Sequence, residues 1–287
     1  MRLRALAKIN LGLDILGKRE DGYHEVKMIM QTIQMYDVLE LHKKKEPGIS
    51  LTVNVPFIPT DERNLVYRAA AMLMEEFHVQ EGLSIRLDKF IPVAAGMAGG
   101  SSDAAAAFVG VNRLFHLGLS QEELMERAVK VGADVPYCIM RGTALAEGIG
   151  EKLTALPPVP PCYVLVGKPA VSVSTKMAYE NLNLETIKKH PDIDGMILDI
   201  ENGNLMEMTE KMANVFEPGI IREYPVIQQI KDFMEENGAL RAMMSGSGPT
   251  VFGIFDDKEK MERAAEGLRA GGLAKTVFST EVFNRRV

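Results

Sequence analysis

The chain of 287 residues carries 33 basic and 39 acidic side chains, a formal net charge of −6, and 46% of its residues are apolar. This length suffices for one large or two ordinary domains with a substantial core, and the mixed composition excludes a disordered chain. A mildly acidic protein has no general attraction for nucleic acid, so any anionic ligand must be held by a local set of donors. No nucleic-acid partner is expected.

Membrane insertion and secretion are also not indicated. No apolar run approaches the ~18 residues that a membrane span needs. The N-terminus begins basic, like a signal peptide, but Lys8, Asn10 and Asp14 interrupt its apolar stretch. Cys138 and Cys162 have neither CxxC nor Cys/His spacing, so neither a disulfide framework nor a zinc site is indicated. We expect a cytoplasmic protein without a membrane partner.

Alternating polarity predicts the first strand, over residues 7–15. Lys8, Asn10 and Gly12 share its polar face, with Lys8 and Asn10 about 6.6 Å apart along the strand. A lone lysine in such a place usually meets only water. The neighbouring Asn10 and Gly12 instead favour close approach of a ligand.

A turn at Asp21-Gly22 precedes a second predicted strand region, over residues 26–41. Between them come Tyr23 and His24. The segment is either an exposed hairpin tip or a pair of rings that stack on and hydrogen-bond to a planar base.

A helix is predicted from Asn64 to about Phe77, followed by a strand over residues 83–87. The glycine-rich segment 92–102, PVAAGMAGGSS, then leads into an alanine-rich helix from Ser101 to about residue 115. Glycines let backbone N–H groups approach a ligand, and a helix start supplies unpaired donors at its positive end. These features favour a phosphate site over a tight turn whose serines merely cap the helix, although the spacing matches neither a Walker A loop nor GxGxxG.

Ser120 and Glu123 form a capping-box pattern, and Gly132 is placed where a glycine would end that helix. Asp134 follows in the sequence GADVP. Its carboxylate either caps a turn or, beside an ammonium group, stays ionised and accepts or orients a hydroxyl proton.

The proline-rich stretch 156–161, LPPVPP, predicts an extended connection near the middle of the chain. The elements predicted after it are a strand at 163–166, helices at 205–215 and 226–237, a glycine-rich turn at 245–249 and a strand at 250–255. Without a regular βαβ cadence, this order favours an α+β architecture.

Taken together and in this order, five segments resemble the GHMP superfamily of small-molecule kinases. They are AKINL at 7–11, DGYHE at 21–25, GGSS at 99–102, GADVP at 132–136 and SGSGP at 245–249. Segment 21–25 resembles the branch whose acceptor alcohol carries a cytidine diphosphate group and serves isoprenoid synthesis. The resemblance implies an N-terminal domain like ribosomal protein S5 domain 2 at 1–156, with the ATP-binding glycine-rich loop, and a ferredoxin-like α/β domain at 157–287.

The resemblance also implies roles for individual residues in an ATP-dependent transfer to a hydroxyl. Asp134 would accept or orient the hydroxyl proton, and Lys8 would be its charged neighbour. The implied acceptor-binding residues are Asn10, Tyr23, His24, Thr175 and Tyr179. The implied ATP-binding residues are Asn64, Leu65, Lys89, Pro92, Gly96, Gly99, Gly100, Ser101 and Ser102. The third-motif loop comprises Ser245, Gly246, Ser247 and Gly248.

The resemblance implies ATP and the small acceptor as ligands. Mg²⁺ is expected alongside ATP, but its protein ligands are not assigned. The chain is expected to be a monomer or a weak homodimer. Two departures from the family pattern stand out. Alanines at 94, 95 and 98 replace glycines, which predicts fewer positions of positive φ in the loop, and Asp103 replaces a common asparagine, which adds negative charge near the phosphates. The alternatives are another kinase of the superfamily, of homoserine or mevalonate type, and a nucleotide-binding regulatory protein without catalysis.

Overall fold

The computed structural model describes residues 1–182, 184, 187 and 190–284. The strands are β1 (Arg2–Lys18), β2 (His24–Lys44), β3 (Ile49–Val53), β4 (Gly82–Asp88), β5 (Thr143–Gly148), β6 (Lys152–Ala155), β7 (Tyr163–Lys168), β8 (Arg241–Met244), β9 (Val251–Phe255) and β10 (Thr276–Glu281). The helices are α1 (Leu65–Glu76), α2 (Gly99–Leu114), α3 (Gln121–Ala128), α4 (Val135–Met140), α5 (Thr175–Glu180), α6 (Ile193–Glu201), α7 (Leu205–Lys211), α8 (Glu217–Glu223), α9 (Val226–Glu236) and α10 (Lys258–Gly271). Within the described ranges, none of these helices has the length and apolarity to cross a bilayer.

Two compact units divide the chain, and both are discontinuous in sequence. The first unit comprises Met1–Ala7, Met35–Val93 and Ala98–Met140, and the second comprises Lys8–Gln34, Ala94–Met97 and Arg141–Val287. The long strands β1 and β2 and the glycine-rich segment therefore contribute residues to both units. The predicted domain boundary between residues 156 and 157 divides the sequence into two continuous parts, unlike these units, and it stays a prediction. The stretch 156–161 has no regular secondary structure, as its prolines predict.

In the first unit, the C-terminal part of β2 pairs antiparallel with β4, and β3 pairs parallel with β4. Helices α1 and α2 pack against each other. The predicted start of α1 is confirmed, because the Asn64 side chain accepts a hydrogen bond from the Val66 N–H and caps the helix. Helix α2 begins at Gly99, two residues before the predicted start at Ser101.

In the second unit, the N-terminal part of β2 pairs with β5, which pairs with β6. A separate antiparallel sheet has the order β10-β7-β9-β8, and α9 and α10 pack against it. This sheet has the split βαβ arrangement of ferredoxin-like domains. Along the chain, β7 is followed by a helical segment, then by β8 and β9, then by α10 and finally by β10. The predicted α+β class and the ferredoxin-like C-terminal architecture are thereby confirmed.

Two helix ends differ from the predictions. Helix α3 has the predicted capping box of Ser120 and Glu123 but ends at Ala128 rather than at Gly132. It ends early because a tighter turn follows, in which the Val131 N–H bonds to the Ala128 carbonyl.

Helix α7 likewise ends at Lys211, four residues before the predicted end. The following segment pairs with β1 instead: Leu13 donates to the Ala213 carbonyl, and Val215 donates to the Leu13 carbonyl. A tertiary pairing that sequence periodicity does not reveal thus replaces the last helical turn.

Candidate functional site

The start of α2, where the sequence predicts a phosphate site, lies in the first unit. Ala98 precedes the helix with φ of 53° and has no polar side-chain atom, so it cannot cap the first N–H groups. A Cβ on Gly99 would lie 3.1 Å from Ile91 Cγ2 and 3.2 Å from Lys89 Nζ, and one on Gly100 would lie 3.7 Å from Leu65 Cδ1. The structure thus brings Leu65, Lys89, Gly99 and Gly100 together. Uncapped N–H groups at the positive end of a helix suit an anion.

Two of the predicted ATP-binding side chains are used within the first unit. Asn64 donates to the Pro59 carbonyl at 2.7 Å, while its oxygen caps α1. Ser102 is buried, and its hydroxyl donates to the Leu6 carbonyl at 2.6 Å. Both side chains bond to backbone carbonyls of the first unit. Ser101, within the first turn of α2, and Pro92 are half-buried. Their direct contact with ATP stays a prediction.

Lys89 lies between two buried carboxylates. Its ammonium pairs with Asp37 Oδ2 and lies 2.6 Å from Asp103 Oδ2. Burial alone would lower the pKa of Lys89, but the two carboxylates outweigh it, so the pKa is raised. Burial raises the pKa of Asp103 well above its usual value, although Lys89 opposes this. Asp103, which the sequence predicts to add negative charge near the phosphates, therefore has one carboxylate oxygen paired with Lys89.

Asp134 immediately precedes α4 in the first unit and is half-buried. Its carbonyl accepts a hydrogen bond from the Cys138 N–H at 3.1 Å and so forms part of the first helical turn. The six residues of α4 are all buried. The turn that carries the carboxylate is therefore firmly held.

In the second unit, Lys8 and Asn10 meet as their spacing on β1 predicts. The Lys8 ammonium donates to Asn10 Oδ1 at 2.7 Å. Lys8 is 5% exposed and Asn10 is 0% exposed. The Lys8 N–H bonds to the Met97 carbonyl, which ties the strand to the glycine-rich segment. This polar face of β1 is buried by protein rather than exposed to water, and a catalytic role for the lysine stays a prediction.

The third-motif loop contacts the glycine-rich segment within the second unit. The Ser245 hydroxyl donates to the Gly96 carbonyl at 2.9 Å. A Cβ on Gly96 would lie 2.1 Å from the Ser245 carbonyl oxygen, and one on Gly246 would lie 3.0 Å from the Gly96 carbonyl oxygen. Only glycines allow these backbones to approach so closely. Gly248 lies further along the same loop, with positive φ.

Asn214 braces this loop and was not identified from the sequence. Its amide donates to the carbonyls of Met244 and Gly246, each at 2.8 Å, while its oxygen accepts from the Phe216 N–H. A sequence signal for this bracing is lacking because the two carbonyls that it reaches lie 30 and 32 residues away. Thr175 contacts the loop from another side, through a 2.9 Å hydrogen bond between its hydroxyl and that of Ser247.

Aromatic rings gather around Tyr179 in the second unit. Its ring centroid lies 5.1 Å from that of His24, and 4.9 Å from that of Phe216, which the sequence analysis missed. Tyr23 is 60% exposed, as a hairpin tip would be. Burial, followed by the charge of Lys18, lowers the pKa of His24, so its imidazole is neutral at pH 7. Neutral imidazole offers one donor and one acceptor to a polar ring.

In the described part of the chain, no group of three His, Cys, Asp or Glu side chains is arranged to hold a metal ion.

The chain is similar to known proteins over nearly its full length. Residues 64–142 match the family described as GHMP kinases N terminal domain, and residues 196–273 match that described as GHMP kinases C terminal. The chain is 53% identical over 283 residues to 4-diphosphocytidyl-2-C-methyl-D-erythritol kinase of Lachnospira eligens, covering 99% of this chain and 98% of that protein. It is 48% identical over 284 residues to the enzyme of that name from Clostridium perfringens, covering 99% of both chains.

Solved structures extend the similarity. A crystal structure of 4-(cytidine 5'-diphospho)-2C-methyl-D-erythritol kinase has a TM-score of 0.86 at 30% identity, covering 99% of this chain and 100% of that one. Homoserine kinase from Cytophaga hutchinsonii, with a TM-score of 0.75 at 19% identity, covers 96% of this chain and 93% of that one and shares the fold. The predicted two-domain fold is confirmed.

Proposed function

Because this chain belongs to the GHMP kinase family, we propose that it transfers the terminal phosphoryl group of ATP to the 2-hydroxyl of 4-diphosphocytidyl-2-C-methyl-D-erythritol. The products are the 2-phosphate and ADP, within the non-mevalonate pathway to isoprenoid precursors. The observation that carries this proposal is the identity of about half of all residues, over nearly the full length, to bacterial enzymes of that name.

The chemistry asks the protein for positioning and charge stabilisation rather than for a covalent intermediate. Lys8 supplies a buried positive charge, held by Asn10 on β1. Asp134 supplies a carboxylate on a firmly held turn, suited to orienting or accepting the proton of the acceptor hydroxyl. The uncapped start of α2 supplies N–H donors for the nucleotide phosphates.

The acceptor's cytosine is the part that distinguishes it from the substrates of other kinases with this fold. His24 and Tyr179 provide a neutral imidazole beside an aromatic ring, and Tyr23 lies exposed at the preceding turn. Such groups stack on a planar base and hydrogen-bond to its edge. For the hydroxyls or phosphate of the acceptor we propose Thr175 and Asn10, the other two residues that the resemblance implies.

Mg²⁺ is expected to accompany ATP and, when bound, to neutralise phosphate charge. The start of α2 would offer its N–H groups to the nucleotide phosphates. A cytoplasmic location and a monomeric or weakly dimeric state are further expectations from the sequence.

A coupled assay of ADP release tests the proposal on the purified protein. We expect ADP and the acceptor 2-phosphate in equal amounts from the cytidylylated acceptor, inhibition by CMP or CDP that competes with this acceptor, and no turnover of homoserine or mevalonate. Turnover of either of the other alcohols instead would identify a different kinase. Thermal stabilisation by ATP without ADP release from any of the three would indicate a regulatory protein and contradict the proposal.

A further inference from the structure

We propose that Lys89, with Asp37 and Asp103, is a positioning device for the nucleotide site: it fixes the start of α2 and does not itself bind the nucleotide. The proposal rests on one part of the proposed function, namely that the start of α2 binds the nucleotide phosphates. It assigns Asp37 a role that its sequence context did not suggest, and it revises the direct contact with ATP that the resemblance implied for Lys89.

The three side chains form a closed, dry cluster in the first unit. Those of Lys89, Asp37 and Asp103 are 5%, 0% and 3% exposed, respectively. One oxygen of each carboxylate contacts the ammonium, so the lysine bridges strand β2 to the second turn of helix α2. A buried bridge of this kind has a narrow choice of geometry, because each charge depends on its partner for solvation.

The other oxygen of Asp37 fixes the backbone that follows Lys89. It accepts hydrogen bonds from the N–H groups of Phe90 and Ile91, at 2.5 and 2.8 Å. Asn54 adds a reciprocal pair, accepting from the Lys89 N–H at 2.8 Å and donating to the Lys89 carbonyl at 3.3 Å. The lysine is thus held at its backbone as well as at its ammonium.

Gly99, the first residue of α2, packs directly on this cluster. A Cβ added there would lie 3.2 Å from the Lys89 ammonium and 3.1 Å from Ile91. The position of the ammonium therefore limits where the first helical N–H groups can stand. Since anion binding by a helix start depends on the direction of those groups, a shift of Lys89 is transmitted to the phosphates.

The charges of the cluster favour a Lys89 that affects the nucleotide site without contacting the nucleotide. The Lys89 ammonium already satisfies two carboxylates, while the second oxygen of Asp103 is buried without a hydrogen-bond partner within the described residues. For Lys89 to reach the nucleotide, both carboxylates would lose their countercharge in a dry environment. That arrangement is costly, and it favours a lysine that stays in the cluster.

Titration calorimetry with the non-hydrolysable analogue AMPPNP, without acceptor, tests the proposal in a mutant cycle. The variants are Lys89→Met, Asp37→Asn/Asp103→Asn, and the triple combination, each checked by thermal unfolding. We expect Lys89→Met to weaken AMPPNP binding about 10- to 100-fold in the wild-type background, because the start of α2 loses the ion pairs that hold it against β2. The same substitution should have little effect where both carboxylates are already amides.

An equal loss in both backgrounds would show that Lys89 binds the nucleotide itself and would overturn the proposal. So would unchanged affinity in Lys89→Met. If Lys89→Met does not fold, the milder variant Asp103→Asn tests the proposal, because the two interpretations predict opposite changes in AMPPNP affinity. Loosening the bridge should weaken AMPPNP binding, whereas a lysine that binds nucleotide directly would be released by this change and bind more tightly.

Steady-state kinetics separate positioning from general damage. The KM for ATP should rise in Lys89→Met while the KM for the acceptor stays unchanged, and a merely unstable enzyme would lose active fraction without this split. Wild-type protein that binds AMPPNP but does not phosphorylate the cytidylylated acceptor would refute the proposed function alone. Wild-type protein that binds no nucleotide would refute both.

Discussion

Tyr179 is supported on two sides by other rings, which fixes its orientation before any ligand arrives. The His24 ring is tilted by 38° against it and the Phe216 ring meets it edge-on at 74°. Phe216 is in turn fixed by the hydrogen bond from its N–H to Asn214. A preorganised ring loses little conformational entropy on binding, so most of its stacking energy is available to the ligand.

Replacing Tyr179 by alanine should therefore raise the KM for the acceptor by the equivalent of about 1–3 kcal/mol, the usual value of base stacking on an aromatic side chain. The KM for ATP should not change. Tyr179→Phe is the matched control, since it keeps the ring and removes only the hydroxyl, and it should bind the acceptor nearly as well as the wild type. An unchanged acceptor KM in Tyr179→Ala would remove this ring from cytosine recognition.

Single residues were predictable from the sequence where the signal is local. Lys8 and Asn10 are two apart on a strand, and their hydrogen bond follows from that spacing. Asp37 and Asn214 were missed because their partners come from distant segments: Asp37 bonds to a lysine 52 positions away, and Asn214 to a carbonyl 32 positions away. Periodicity within a window of a few residues carries no information on such contacts.

Among the elements, the glycine-rich segment departs most clearly from expectation. Replacement of glycines by alanines predicts fewer positions of positive φ, but Ala94 and Ala98 adopt φ of 50° and 53°, on either side of Gly96 at 70°. The prediction was wrong for Ala94 and Ala98, since both adopt the left-handed conformation despite their Cβ atoms. Each alanine held there costs roughly 1–2 kcal/mol.

Gly96 is the position in this segment where alanine should not be tolerated. Its φ is positive, and a Cβ would lie 2.1 Å from the backbone oxygen of Ser245. We expect Gly96→Ala to lower the free energy of unfolding by at least about 1–2 kcal/mol, with weaker ATP binding in addition, as measured by denaturant titration and calorimetry.

Gly17→Ala is the control, because Gly17 has ordinary φ and open space around its Cβ position. Its unfolding free energy should differ little from that of the wild type. Equal stability of Gly96→Ala and Gly17→Ala would show that the contact between Gly96 and Ser245 does not constrain the loop.

For the whole molecule, the class and the order of elements could be predicted, but the composition of the compact units could not. Local caps such as Asn64 and Ser120 identify helix starts correctly. The units, by contrast, each combine three separate stretches of chain. Which part of a long strand joins which unit depends on pairings across more than a hundred residues, such as that of β2 with β5.

The two charged residues proposed for the reaction are assigned to different compact units. Lys8 belongs to the second unit and Asp134 to the first. Each is well held within its own unit, Lys8 by Asn10 and Asp134 by the turn that begins α4. The function of the carboxylate is best tested by kinetics.

The most direct test is the kcat of Asp134→Asn in the ADP-release assay, with AMPPNP affinity and thermal unfolding measured in parallel. Asparagine keeps the size and polarity of the side chain but cannot accept the hydroxyl proton. We predict a fall in kcat of about 100-fold or more with unchanged fold and nucleotide affinity, while the exposed control Asp256→Asn retains wild-type kcat. Near-wild-type kcat in Asp134→Asn would contradict the account.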